Sequence, residues 1–595
     1  MDVVPKTPLF WLYPVGHTCP ARNMGIDLTK RLFCCSYQKL KIMNIILRLF
    51  FCQFLLCMIV FPAAGQPTSS SRAVEFDKII SEQFKPNESG CVALVAEKGK
   101  IIYEKAFGLA DIQLNVPMRT EMVFRLGSIS KQFTAISILQ LMEKGKLALQ
   151  DRIMTHIPDY PAIGEKITIE HLLTHTSGIT NITGMKNFGD IKRNDLSTAE
   201  VVNFFKNEPL EFEPGTKWSY SNSGYILLGY IVEKVSGLPF AKYLEENIFK
   251  PCQMTSSFLD DDSRIIKNRA SGYAKKGDQT INAQFISMTI PHGAGGIVST
   301  VGDLYRWNRA LLSHKMVTNS TLEKAFTRYK LSDGKETDYG YGWFFSNIQG
   351  IPTVEHGGGI EGFLTSSIYL PSKDLFVAVL SNSTGQSPEF VAAKLAGATV
   401  GKPYFYKETV LDKSSAEAYV GVYENEEATL MNIKFEDDKM FAEFPDGNRI
   451  QMKPYEKGKY FYHDFFSTME FNQSPDKKGY SANVVSRFEK MRTWKRTDKP
   501  FTAKPEVEVS EVILEQYIGE YQVGPSFILT VVKEGKKIFA HGPDQPNQEL
   551  FGESDTKFYL KSMPIVVEFH RDSSGKVEKL AIHQGGKVTE AKKIK

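Results

Sequence analysis

Between Phe124 and Gly145 the chain reads FRLGSISKQFTAISILQLMEKG, and this stretch restricts the possible folds more than any other. Phe133, Ile136 and Leu139, with Ile138, Leu141 and Met142, recur at helical spacing, and Lys144 and Gly145 are placed to close the helix. Ser128 then falls at or near a helix N-terminus, and Lys131, three residues on, shares its face. The helix dipole favours negative charge developing there. A serine hydroxyl is a weak nucleophile until a neighbouring base takes its proton, and a partly desolvated lysine is one such base. Alone, Ser-x-x-Lys equally describes a capped helix start followed by a solvated lysine, so partners elsewhere in the chain decide.

A chain of 595 residues is too long for one core and predicts three or four domains. A net charge of +4 over that length offers no basic surface, so no nucleic-acid partner is expected. Of the seven cysteines, Cys19, Cys34, Cys35, Cys52 and Cys57 precede residue 60. Cys91 and Cys252 fit buried thiols better than a disulfide, since a chain of this size is no disulfide scaffold.

From Met43 the chain reads MNIILRLFFCQFLLCMIVFPAAGQ. Lys39 and Lys41 lie upstream, an apolar run from Leu49 to Val60 follows, and Ala63 and Gly65 come next, the pattern of a secretory signal peptide cleaved after Gly65. The run is short for a membrane span and contains Gln53, so a stable span after cleavage is the weaker reading. A signal peptide normally begins shortly before its apolar run, which points to Met43 as the true start. The expected localisation is secreted or periplasmic.

After the leader, CVALVAEKGKIIYEKAFGLAD predicts two strands hinged around Glu97–Lys100. In ITIEHLLTHTSGI, His171 and His175 are four apart, but no His-Glu-x-x-His pattern or third ligand accompanies them, so structural histidines are expected. Tyr220-Ser221-Asn222 lies where a loop enters the apolar helical run Tyr225 to Val235, which ends at Gly237. A phenol there can exchange a proton with Ser128 if Lys131 lowers its pKa, and an amide at Asn222 can orient lysine and substrate. His356-Gly357-Gly358-Gly359 sits among strand-like runs, its glycines marking a place where a backbone or ligand comes close. His-Gly-Gly-Gly also resembles the oxyanion loop of α/β-hydrolase esterases, but the Gly-x-Ser-x-Gly elbow of that fold is absent from the chain.

Together, Ser128-x-x-Lys131, Tyr220-x-Asn222 and His356-x-Gly358, in that order, resemble the penicillin-recognising serine hydrolases: class C β-lactamases, DD-peptidases, D-aminopeptidases and related esterases. The resemblance spans roughly residues 75 to 400 and includes FEPGTKWSYSNSGYILLGYIVEKVSG and GGIVSTVGDLYRWNRALL. It implies an α+β fold, an antiparallel sheet flanked by helices with a helical subdomain and the site between them. It implies Ser128 as acylated nucleophile, Lys131 and Tyr220 sharing acid and base work, and Asn222 orienting the substrate. His356 would stand where many relatives have lysine, Gly357 and Gly358 would border the substrate, and the N–H groups of Ser128 and Gly359 would form the oxyanion hole. No metal or organic cofactor is implied. The substrate would be a small molecule or short peptide, with cell-wall fragments among the candidates.

Relatives with carboxypeptidase or β-lactamase activity commonly carry hydroxyl residues at the positions of Gly357 and Gly359, where they help bind a substrate carboxylate. Glycine offers no such side-chain bond. The expectation is therefore an esterase or D-aminopeptidase-like peptidase, against the alternatives of a D-Ala-D-Ala carboxypeptidase or class C β-lactamase. An alternative of another class is a catalytically idle protein that holds cell-wall peptides.

Past Lys402-Pro403 the pattern changes to alternating apolar and polar residues. Tyr419-Val-Gly-Val-Tyr423 matches Tyr517-Ile-Gly-Glu-Tyr521, Phe441-Ala442 matches Phe539-Ala540, and Glu470-Phe471 matches Glu568-Phe569, all at one offset (517 − 419 = 98). This predicts two lipocalin-like antiparallel β-barrels, at 412–497 and 508–595, joined by a linker marked by Pro500 and Pro505. D-aminopeptidases of the family carry two such barrels after the catalytic domain; the alternative is that the barrels are spacers. The expected layout is thus a leader over 1–65, a hydrolase domain over 75–400 and the two barrels.

Overall fold

The computed structural model describes residues 69–595 except 277–278, 463–465, 475–478, 488–490, 503–505, 524–527, 543–546, 562–564 and 585–586. The leader, its cysteines and Pro505 of the linker lie outside the described residues.

A six-stranded antiparallel sheet forms the floor of the first part, in the order Phe344–Ile348, Ile351–Ile360, Phe363–Leu370, Leu375–Ser381, Cys91–Glu97 and Lys100–Phe107. Cys91–Glu97 and Leu375–Ser381 are buried on both faces, so each reads as a continuous apolar run whose alternate residues enter different cores. Val92, Leu94, Ala378 and Leu380 join the larger core, with the helices Ser130–Glu143 and Asn222–Ser236. Cys91, Ala93, Val377 and Val379 join a second core with the helices Ser69–Ser81 and Pro388–Thr399. Helices thus cover both faces of the sheet, and the 3₁₀ turn Gly127–Ile129 packs against Ile351–Ile360. Cys91 and Cys252 are both buried free thiols.

The helix Ser130–Glu143 is buried from Ser130 to Leu141. It ends as its sequence predicts: Gly145, at φ 64°, donates to the Met142 carbonyl and Lys146 donates to that of Leu141, a Schellman closure. Ser128 itself sits one turn earlier, in the 3₁₀ turn Gly127–Ile129 that feeds the helix.

Two closed eight-stranded antiparallel barrels follow, the first from Gly421–Glu424 to Arg492–Thr497 and the second from Gly519–Gln522 to Lys587–Lys593. The repeat in the sequence is a repeat of their interiors. Tyr419 stacks on Phe471 at 4.3 Å, and Tyr517 stacks on Phe569 at 4.0 Å. In both barrels the second tyrosine donates to the carbonyl of the first, Tyr423 to Tyr419 and Tyr521 to Tyr517, each at 2.8 Å. The first barrel is docked on the sheet domain: its Phe466 belongs to the second core, 4.7 Å from the Tyr404 ring.

Candidate functional site

Gly127 and Gly358 let two backbones meet. A methyl group on Gly358 would lie 1.9 Å from the Leu126 carbonyl oxygen, and one on Gly127, whose φ is 55°, would lie 2.8 Å from the amide nitrogen of Gly359. The 3₁₀ turn carrying Ser128 is therefore pressed against the strand Ile351–Ile360, which carries His356 to Gly359. Thr365 of the next strand ties the contact by donating from Oγ1 to the Leu126 carbonyl at 2.7 Å.

Lys131 is fully buried, and its Nζ reaches three oxygens: Ser128 Oγ at 3.1 Å, Asn222 Oδ1 at 2.8 Å and the Ala294 carbonyl at 2.8 Å. Burial holds its pKa well below the ordinary lysine value, which favours the neutral amine. As an amine, Nζ has two N–H groups for the two strong acceptors, Asn222 Oδ1 and Ala294 O, and a lone pair left for the Ser128 hydroxyl proton.

Tyr220 and Asn222 arrive together at the start of the helix Asn222–Ser236, whose N-cap is Ser221, its hydroxyl accepting from Gly224 N–H. His175 fixes the same turn: its Nδ1 accepts from the Ser221 N–H at 3.1 Å, and its ring lies 4.3 Å from that of Tyr220. The Tyr220 ring also lies 4.7 Å from Lys131 Nζ. Burial pushes the Tyr220 phenol well above its ordinary value, while a hydrogen bond with Ser128 acts the other way. This corrects the expectation that Lys131 lowers the phenol's pKa. A buried amine that is itself driven neutral presents no charge to do so.

The state of His356 is set by its partners and its burial. Its Nδ1 faces the Gly357 carbonyl at 2.6 Å, which can only accept, so Nδ1 carries the proton. Nε2 then accepts from the Tyr339 hydroxyl at 3.0 Å. Burial above all lowers its pKa from 6.5 to about 3. His356 is therefore neutral near pH 7, with both ring nitrogens engaged.

Ser128 and Gly359 lie where two cavities meet. One, of about 850 Å³, is bordered by Tyr220, His356, Gly357 and Gly358; the other, of about 580 Å³, by Asn222 and Ala294. Sequence reasoning passed over Tyr339, His175 as the prop behind Tyr220, and the Ala294 carbonyl. His171 has a structural place, its Nδ1 accepting from Thr168 N–H in a capping box closed by histidine in place of an acid. Among the described residues no group of three or more His, Cys, Asp or Glu could hold a metal ion, and no helix is long and apolar enough to cross a membrane.

The beta-lactamase family matches residues 76–402, and a domain of unknown function (DUF3471) matches residues 503–593, the region of the second barrel. Penicillin-binding protein 4* of Bacillus subtilis (strain 168) is 30% identical over 412 residues, covering 64% of this chain and 90% of that protein. Protein flp of Staphylococcus aureus (strain N315) is 27% identical over 317 residues, covering 52% of this chain and 62% of that protein. Among solved structures, the octameric penicillin-binding protein homologue from Pyrococcus abyssi has a TM-score of 0.50 at 24% identity, covering 72% of this chain and 100% of that chain, a likeness of fold. The family match takes in the Ser128 turn, the Tyr220 loop and the His356 strand within one contiguous segment, and on that ground the chain belongs to the beta-lactamase family.

Proposed function

We propose that this protein is an exported serine hydrolase that cleaves esters or amides through an acyl-enzyme on Ser128. The observation that carries the reading is the 3.1 Å contact between Ser128 Oγ and the buried, charge-depleted Nζ of Lys131. In the proposed cycle, Lys131 takes the hydroxyl proton as Oγ attacks the carbonyl carbon. The oxyanion accepts from the N–H groups of Ser128 and Gly359, donors of a kind whose loss costs on the order of a hundredfold in rate. The bond to the leaving group then breaks, and the proton passes to it from Lys131 through the Tyr220 phenol. Water repeats the sequence on the acyl-enzyme. Asn222 holds Lys131 in line, and burial of Nζ favours the neutral amine.

An esterase or D-aminopeptidase-like specificity is favoured over carboxypeptidase or β-lactamase activity. The missing hydroxyls at Gly357 and Gly359 support this preference; the acidic residues along the larger cavity add nothing to it, since Glu355 and Glu389 face Arg487, Asp338 pairs with Arg328 and Glu336 with Lys330.

Fluorophosphonate labelling tests the reading. The full chain should be labelled and Ser128→Ala should not; equal labelling of both, or none of the parent, would sink it. Mass spectrometry of the secreted form tests export, with a mature N-terminus at Gln66 expected.

A further inference from the structure

The two cavities at Ser128 share only Ser128, Gly359 and Leu364 among their lining residues, so a substrate bound across the nucleophile is divided between them. Tyr220 borders the larger cavity alone. A leaving group protonated through Tyr220 must depart on that side, which sends the acyl half into the smaller cavity of about 580 Å³.

That smaller cavity is walled by Ile182, Phe188, Ile226, Ile286, Ile290 and Ile360. Its two charged lining residues, Lys192 and Glu361, satisfy each other at 2.7 Å, with about a fifth of each side chain exposed. Neither is left over to pair with an ammonium or a carboxylate, and either group would lose its water against isoleucine. We infer that the acyl half of the substrate is an uncharged apolar chain seated in this isoleucine-walled cavity, so that the substrates are esters or amides of apolar carboxylic acids. This rests on the Ser128 hydrolase reading, and within it excludes an acyl group bearing a free α-ammonium.

The test is a set of kcat/KM values for the full chain on p-nitrophenyl acetate, butyrate and octanoate, and on isobutyryl- and D-alanyl-p-nitroanilide, which exchange a methyl for an ammonium. Two more buried methylenes should raise kcat/KM roughly tenfold from acetate to butyrate. Octanoate should exceed acetate, and isobutyryl should exceed D-alanyl. Ile290→Trp and Ile360→Trp, made separately and each checked for a folded site by fluorophosphonate labelling, should flatten the acetate-to-butyrate rise. Preference for acetate or for the D-alanyl anilide in a protein still labelled at Ser128 would overturn the inference alone, as would a rise that survives in both labelled tryptophan variants. Failure to label Ser128 at all would bring down the hydrolase reading and this inference with it.

Discussion

Arg487 of the first barrel donates from Nη2 to Oε1 of Glu355 at 3.0 Å, with its side chain wholly removed from solvent. Glu355 precedes His356 on the strand that borders the cleft, so a barrel residue 132 positions away sets the charge balance of the cleft wall. Nη1 donates to the Asn347 carbonyl at 3.1 Å, and Asn347 Nδ2 returns a bond to the Ser486 carbonyl at 3.2 Å. The first barrel is part of the cleft's support, which argues against its being a spacer.

Arg487→Met should therefore destabilise the chain by about 3–5 kcal/mol, because it leaves the Glu355 charge buried without its partner. Adding Glu355→Leu should recover most of that loss, since an apolar pair needs no compensation. Denaturant midpoints of the two variants and the parent check this; a double variant no better than the single one would contradict it.

Lys131→Ala and Lys131→Arg should both acylate poorly, the first lacking a base and the second holding a permanently charged one. In the proposed cycle the base is the neutral amine, so acylation should fall as pH falls through its lowered pKa and level off above it. Single-turnover acylation against pH gives the profile, and an unimpaired Arg variant would leave Lys131 only an electrostatic role.

How much of this was legible in the sequence follows from how local each signal is. Ser128 and Lys131 are one helical turn apart, and Tyr220 and Asn222 flank a cap, so spacing alone predicted their neighbourhoods. The offset of Tyr419 and Tyr423 from Tyr517 and Tyr521 predicted a duplicated module, because each pair forms the same internal hydrogen bond. Charge states were not legible. Whether Lys131 and His356 are ionised depends on burial assembled from Ala294, Tyr339 and His175, and no spacing encodes that. The Arg487 contact was hidden for the same reason, being a pairing between two domains.

Acid should destabilise the fold through His356. An unfolded histidine takes up a proton below about 6.5, whereas the folded one does so only near 3. Between those values the unfolded state binds more protons, so this contribution is fully present above the upper value and is lost as pH falls toward the lower. The loss is of the order of several kcal/mol, and buried His175, also lowered, adds to it with the same sign. Denaturant midpoints near neutrality and near about pH 4 should differ less in His356→Gln than in the parent; an equal difference would remove His356 from the account.

The second barrel should fold alone as a 508–595 fragment, since Tyr517, Tyr521, Phe558 and Phe569 close a core of its own. A 412–497 fragment should be weaker, having lost the burial of Phe466 and the Glu355 partner of Arg487. Cooperative thermal unfolding of each fragment decides this, and a disordered 508–595 fragment would contradict it.

The final prediction concerns the two glycines beside His356. The parent should hydrolyse nitrocefin and a D-Ala-D-Ala peptide weakly beside p-nitrophenyl acetate, because neither Gly357 nor Gly359 has a side chain that can donate to a carboxylate and His356 is neutral. Restoring hydroxyls is sterically open. A β-carbon on Gly357 would meet the Thr365 carbonyl oxygen at 3.4 Å, and one on Gly359 would meet Leu364 Cδ2 at 3.3 Å, a flexible methyl. Neither glycine is among the residues with positive φ, so a side chain strains neither backbone. Each charge-assisted hydrogen bond contributes about 1.5–3 kcal/mol, roughly tenfold to a hundredfold in kcat/KM. Gly357→Thr with Gly359→Ser should therefore raise turnover of nitrocefin and the peptide by at least tenfold relative to p-nitrophenyl acetate. The measurement is kcat/KM on those three substrates for parent and variant, with D-Ala-p-nitroanilide as the amide that lacks a carboxylate. A parent that already prefers nitrocefin or the peptide, or a labelled variant in which the ratio does not move, would refute the glycine argument while leaving Ser128 as the nucleophile.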